Sequence, residues 1–120
     1  MINTQKFNYA EVASYQVAKE KNLWCGDSFF YLETEHYFIC AVSDGLGSGM
    51  IAHTSSKIVM SYIRKNHDQD LTELMSECND LLINKRGVVL SIIKVDYLNK
   101  EISYSNMGNI NCIFIPIIKY

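Results

Sequence analysis

Over residues 7–17 apolar side chains recur at every second position, with Phe7, Tyr9, Ala13, Tyr15 and Val17 on one side beside Glu11, and this period of two predicts a strand. Residues 28–44 hold two runs rich in aromatic and β-branched residues, SFFYLE and YFICAVSD, around the polar stretch Thr34-Glu35-His36. That arrangement predicts a hairpin. With its turn centred between Glu35 and His36, Phe29 faces Val42, Tyr31 faces Cys40, Glu33 faces Phe38, and Asp27 faces Asp44. Both sides of the hairpin are apolar, since Phe30, Leu32, Ile39 and Ala41 lie opposite Phe29, Tyr31, Cys40 and Val42, so both faces of the sheet should be covered.

The period then changes. Ile51, Ser55, Ile58 and Tyr62, with Val59 and Ile63 beside them, fall at helical spacing up to about Lys65, and Ser48 is a suitable N-cap. A second helix begins after Asp70, whose spacing to Glu73 is that of a capping box, and Leu71, Leu74, Cys78, Leu81 and Leu82 form its apolar stripe up to about Lys85. Residues 87–97 return to a strand that is apolar on both sides. A turn at Asn99-Lys100, a strand over 101–107, Gly108-Asn109 and a last strand over 111–118 complete the pattern. Strands joined by tight turns, with two consecutive helices between them, do not alternate as a doubly wound parallel sheet does. The expected class is α+β, a four-layer α-β-β-α sandwich of antiparallel sheets made by one domain over residues 1–120.

Composition narrows the partners. A chain of 120 residues with 48% hydrophobic and 20% charged residues has the balance of a globular protein, and a net charge of −2 offers no basic field for nucleic acid or an anionic membrane. Proteins or small molecules are the expected partners. Cys25, Cys40, Cys78 and Cys112 form no C-x-x-C pair, so they read as reduced packing thiols. His36, His53 and His67 have no ligand spacing and read as turn or surface residues. With neither a leader nor an apolar run of membrane-spanning length, the expected location is the cytoplasm.

The pairing of Asp27 with Asp44 carries the chemistry. Cross-strand partners hold their Cβ atoms about 4.5–5.5 Å apart, where two carboxylates repel, and a divalent cation such as Mg²⁺ or Mn²⁺ would compensate. Gly45 can turn a backbone carbonyl toward the same place as a further ligand. Two such ions bind a phosphate and lower the pKa of a bridging water, so hydrolysis needs no protein nucleophile. Gly-Asp at a strand start and Asp-Gly at a strand end are also ordinary turn chemistry, however, and spacing alone leaves the two readings open. The glycines after Asp44 do not form a nucleotide loop, because Met50 stands where G-x-G-x-x-G needs its last glycine and no Gly-Lys-Ser/Thr follows. Lys85-Arg86 reads as a charge pair at a helix C-terminus rather than a phosphate clamp.

Four segments occur in order: Cys25-Gly26-Asp27-Ser28-Phe29-Phe30, Cys40-Ala41-Val42-Ser43-Asp44-Gly45-Leu46-Gly47-Ser48-Gly49, Asn84-Lys85-Arg86-Gly87, and Asn106-Met107-Gly108-Asn109. Together they resemble the PPM-type (type 2C-like) serine/threonine phosphatases of the bacterial partner-switching pathways. The resemblance implies a dinuclear Mn²⁺ or Mg²⁺ site, with Asp27 a ligand of one ion, Asp44 bridging both and Gly45 a carbonyl ligand. It implies phosphorylated regulatory proteins as partners, stressosome components of sigma-B stress signalling in particular. Leu46 stands where many eukaryotic members have a histidine, and no arginine precedes Asp27, so the resemblance assigns neither a catalytic acid nor a phosphate clamp. The chain is expected to be roughly the first two-thirds of such a domain, lacking the later aspartates that complete the metal site.

Overall fold

A computed structural model describes residues 2–15, 27–45, 49–83, 87–108, 110 and 112–115. Four strands form one antiparallel sheet in chain order: β3 (Asp27–Glu33), β4 (Tyr37–Gly45), β5 (Val88–Asp96) and β6 (Glu101–Met107). A separate two-stranded sheet, β1 (Ile2–Lys6) with β2 (Glu11–Tyr15), precedes it. Between β4 and β5 run α1 (Gly49–Lys65) and α2 (Leu71–Leu81). The register of β3 on β4 is the one expected from the hairpin, from Asp27↔Asp44 to Glu33↔Phe38. The α+β class with antiparallel sheets holds.

Alternation along the strands decides what each face of the large sheet covers. Phe30, Ile39, Ala41, Leu90 and Ile92 point toward the helices and pack with Val59, Met60 and Ile63 of α1 and with Leu71, Leu74 and Cys78 of α2. Ile39, Ile63, Leu74, Leu90, Ile92 and Val59 are wholly shielded from solvent, and each such side chain contributes roughly 1.5–3 kcal/mol of burial. Phe29, Tyr31, Phe38 and Cys40 point the other way. Phe7, in the turn between β1 and β2, seats its ring edgewise on Tyr31 and Phe38 at 5.7 and 5.6 Å. The layers among the described residues are therefore helices, four-stranded sheet and two-stranded sheet.

Four expectations shift. The strand foreseen over 7–17 starts only at Glu11, because Phe7 N–H donates to the Ala10 carbonyl and closes a turn onto β1. Within β2 it is Val12 and Ser14 that are half-buried, while Glu11, Ala13 and Tyr15 face solvent, so the apolar period marked the wrong side. In α1 the buried residues are Ala52, Ser55, Ser56, Val59, Met60 and Ile63, whereas Ile51 is 59% exposed. Small residues let that side approach the sheet more closely than the bulkier Ile51 side would. In the last expected strand, residues 112–115 have no regular structure, and Ile113, Phe114 and Ile115 are exposed. The remainder of that strand, Ser48 and the region of Lys85 lie outside the described residues.

The second helix follows the expected chemistry at its start. Asp70 caps it by accepting from Thr72 N–H at 3.1 Å, and the helix gives way at Leu82, before the Lys85 that the apolar stripe suggested. Lys94 of β5 pins the connection between the helices, its ammonium lying over the Tyr37 ring at 4.3 Å and donating to the His67 carbonyl at 3.3 Å. No helix among the described residues is long and apolar enough to cross a membrane.

Candidate functional site

Asp27 opens β3 and Asp44 nearly closes β4, and the register makes them direct partners at one end of the sheet. Both carboxylates are exposed, and both line a cleft of about 450 Å³ between the two sheets. Val12, Ser14 and Tyr15 of β2 form one wall of this cleft; Phe29, Tyr31, Cys40 and Val42 form the other, and Ile110 closes it. Sequence reasoning foresaw a strand over this wall but took its other side as the inward one, and it missed β1, which is too polar to announce itself as a strand.

Gly45 follows on β4 and faces α1. A Cβ at this position would lie 2.2 Å from the Ala52 carbonyl oxygen, so only glycine lets the helix backbone come this close. Gly108 repeats the device at the other side of the sheet end. Its φ is +102°, and a Cβ would meet Val89 Cγ1 at 2.1 Å; Val89 is itself the β5 partner of Asp44. The Asn106 amide donates to the Gly108 carbonyl at 2.8 Å and fixes this turn. Pairing thus gathers Asp27, Asp44, Val89 and Gly108, far apart in the chain, at one end of the sheet.

Carboxylates suit a hard divalent cation, and the donor set fits Mg²⁺ or Mn²⁺. Among the described residues no group of three or more His, Cys, Asp or Glu side chains gathers around one point. Ser43 and Ser14, at the cleft, keep buried hydroxyl oxygens with no partner. Cys25, Leu46, Ser48 and Lys85-Arg86 lie outside the described residues, as do Gly26 and Gly47.

The Cys40 and Cys78 thiols are poor nucleophiles. Burial, and secondarily the nearby Cys112, raises the Cys40 pKa; burial, with Glu77 adding, pushes Cys78 up to about 12. Both stay protonated at neutral pH. His36 is exposed in the β3–β4 turn, and His67 bonds through Nδ1 to the Tyr37 hydroxyl at 2.5 Å, far along the sheet from the aspartates.

No family model matches the sequence. The phosphoserine phosphatase RsbX of Bacillus subtilis (strain 168) is 34% identical over 113 residues, which are 94% of this chain and 57% of that protein. The crystal structure of RsbX in complex with magnesium superposes with a TM-score of 0.85 at 35% identity, over 91% of this chain and 55% of that one. By sequence and by fold, the chain is similar to the phosphoserine phosphatase RsbX. A structure from work on the bacterial stressosome, described as a modular system adapted to control secondary messenger signaling, matches 79% of this chain and 50% of that one, with a TM-score of 0.75 at 26% identity. The PP2C phosphatase domain of SpoIIE from Bacillus subtilis, at 18% identity and a TM-score of 0.62 over 91% of this chain and 45% of that one, shares the fold. The chain spans just over half the length of the RsbX proteins it matches.

Proposed function

We propose that this chain contributes the Asp27, Asp44 and Gly45 part of a divalent-metal site that hydrolyses phosphoserine or phosphothreonine on regulatory proteins of the stressosome kind, in the cytoplasm and as a negative regulator of sigma-B stress signalling. The observation that carries it is the pairing of Asp27 with Asp44 at the mouth of the cleft, in a chain 34% identical to a phosphoserine phosphatase. Asp27 would hold one ion, Asp44 would bridge two, and the Gly45 carbonyl would complete this side of the site. Divalent ions in such a centre supply charge neutralisation to the phosphate and activate water as the nucleophile. The chain's own part is positional: β3 and β4 hold the two carboxylates side by side, while the Gly45 contact on Ala52 and the Gly108 contact on Val89 keep the sheet end rigid.

A second reading favours partner binding without turnover, supported by the sparse donor set among the described residues. Phosphate release from a phosphoserine peptide, followed with Mn²⁺ and with Mg²⁺, separates the two. Release that Asp27→Asn and Asp44→Asn each abolish is the expected result. Release that survives both substitutions would overturn the metal-site reading, and binding of the phosphopeptide without release would favour the second.

A further inference from the structure

Two cysteines meet on the cleft face of the large sheet, and the metal-site reading uses neither. Cys40 lines the cleft from β4; its ladder partner is Ile93 of β5, whose own partner on the far side is Tyr104 of β6. Side chains along such a row point the same way, and two strand spacings put Tyr104 about 10 Å from Cys40. Phe114 seats its ring edgewise on Tyr104 at 5.9 Å, while Ile110 lines the cleft together with Cys40. Cys112 stands two residues from each of these anchors, a reach of roughly 7 Å of chain at most. It is therefore held beside the row that begins at Cys40, close enough that its charge adds to burial in raising the Cys40 pKa. Both thiols are free and half-buried, whereas Cys78 is wholly shielded among the helices.

We propose that Cys40 and Cys112 are a reversible redox pair, which a peroxide closes to a disulfide that ties the chain around Ile110 onto the cleft face of β4. Cys112 takes the oxidant, because burial keeps the Cys40 thiol protonated. Its thiolate attacks one peroxide oxygen, the O–O bond breaks, hydroxide leaves, and the sulfur becomes a sulfenic acid. Cys40 then attacks that sulfur; the S–S bond forms, and the Cys40 proton departs with the sulfenic hydroxyl as water. Two electrons have passed from the thiols to the peroxide. A disulfide needs Cα atoms about 4.4–6.8 Å apart. Residues 112–115 have no regular structure, so the Cys112 backbone can adjust to that separation while β4 stays paired with β3 and β5. In a reducing compartment such a bond is transient, and a thiol reductant reopens it.

The test treats the full chain with hydrogen peroxide in buffer free of divalent ions and of phosphopeptide, so its outcome is separate from that of the metal-site reading. Remaining thiols are alkylated, and the chain is cut with trypsin and with a protease that cleaves at aspartate, which parts Cys25 from Cys40. Mass spectrometry without reductant should find the Cys40 and Cys112 peptides joined, lighter than the free pair by two hydrogens, and dithiothreitol should separate them. Cys78 should carry the alkyl label. Closure should quicken as pH rises above neutrality, since Cys40 must lose its proton to attack. Cys112→Ser should leave Cys40 alkylated, and Cys25→Ser should leave the link intact. Amide protection at Ile110 and Cys112 should rise on oxidation. Absence of the Cys40–Cys112 link, a link through Cys25 or Cys78 in its place, links only between copies on a non-reducing gel, or unchanged protection at Ile110 would each overturn the proposal.

Discussion

The two ends of the β3–β4 hairpin use carboxylates in opposite ways. At the turn end, Glu33 accepts from Asn8 N–H at 2.9 Å, Tyr9 N–H at 3.2 Å and the Tyr97 hydroxyl at 2.6 Å, tying the β1–β2 turn to the large sheet. Close by, Asp96 accepts from the Leu98 and Asn99 amides at 2.9 and 3.0 Å and from the Asn99 side chain at 2.9 Å, holding the β5–β6 turn in which Lys100 takes a φ of 56°. At the other end, two carboxylates face each other across the ladder. One end spends its negative charge on local structure; the other sets two carboxylates side by side. Where carboxylates are saturated by backbone donors they report architecture, and where they are paired with each other they report chemistry.

The strongest way to break the comparison is through the packing beneath the paired end. Gly45→Ala places a methyl group against the backbone of α1, which cannot move aside as a side chain would. A loss of about 3 kcal/mol or more in urea unfolding is expected, and Gly108→Ala, which adds a positive φ to its collision with Val89, should behave similarly. Unfolding free energies within about 0.5 kcal/mol of the parent for both variants would show that the sheet end is not closely packed.

At the turn end the effect is smaller and depends on pH. Desolvation pushes the Glu33 carboxyl up, but bonds from Tyr97, Asn8 and Tyr9 outweigh it and hold it below its ordinary value of 4.5. A depressed folded pKa means that the stabilisation is complete above the unfolded value and is lost as pH falls through the folded one. Protection of the Asn8 and Tyr9 amides from hydrogen exchange, relative to their intrinsic rates, should therefore be high near neutrality and fall in the acid range below 4.5. Glu33→Gln should remove that dependence; protection that still falls with pH in this variant would assign the effect elsewhere. Tyr97, whose hydroxyl is pushed up to about 12 by burial and then by Glu33, remains a donor throughout.

The smallest effect distinguishes the two kinds of carboxylate most directly. Without divalent ions, Asp44→Asn relieves the repulsion from Asp27 and should raise stability by about 0.5 kcal/mol. A fall in stability in metal-free buffer would place Asp44 with Glu33, as a residue that holds the fold.

Much of the fold was legible because the hairpin has both a polar turn and two apolar runs of matched length. That local information sets the register, and the register alone aligns Asp27 with Asp44. The start of α2 was equally legible, since Asp70 caps it within two residues. The misplaced faces of β2 and α1 share one cause. Periodicity shows that a segment has an apolar side but not which of two similar sides a neighbour covers, and both β2 and α1 carry more apolar surface than their contacts use. The polar INTQK of β1 is a strand only because β2 pairs with it.

The sequence by itself determined the α+β class, the antiparallel hairpin, the helix pair and the identity of the paired aspartates, all of which depend on neighbours within a few residues or across one turn. Tertiary structure alone decided that α1 docks by its small residues, that Phe7 folds β1 and β2 over the far face of the sheet, and that Gly45 and Gly108 brace the end where Asp27 and Asp44 meet. These depend on steric fit between segments distant in the chain, and close packing is a property of both surfaces at once, which no single stretch of sequence carries.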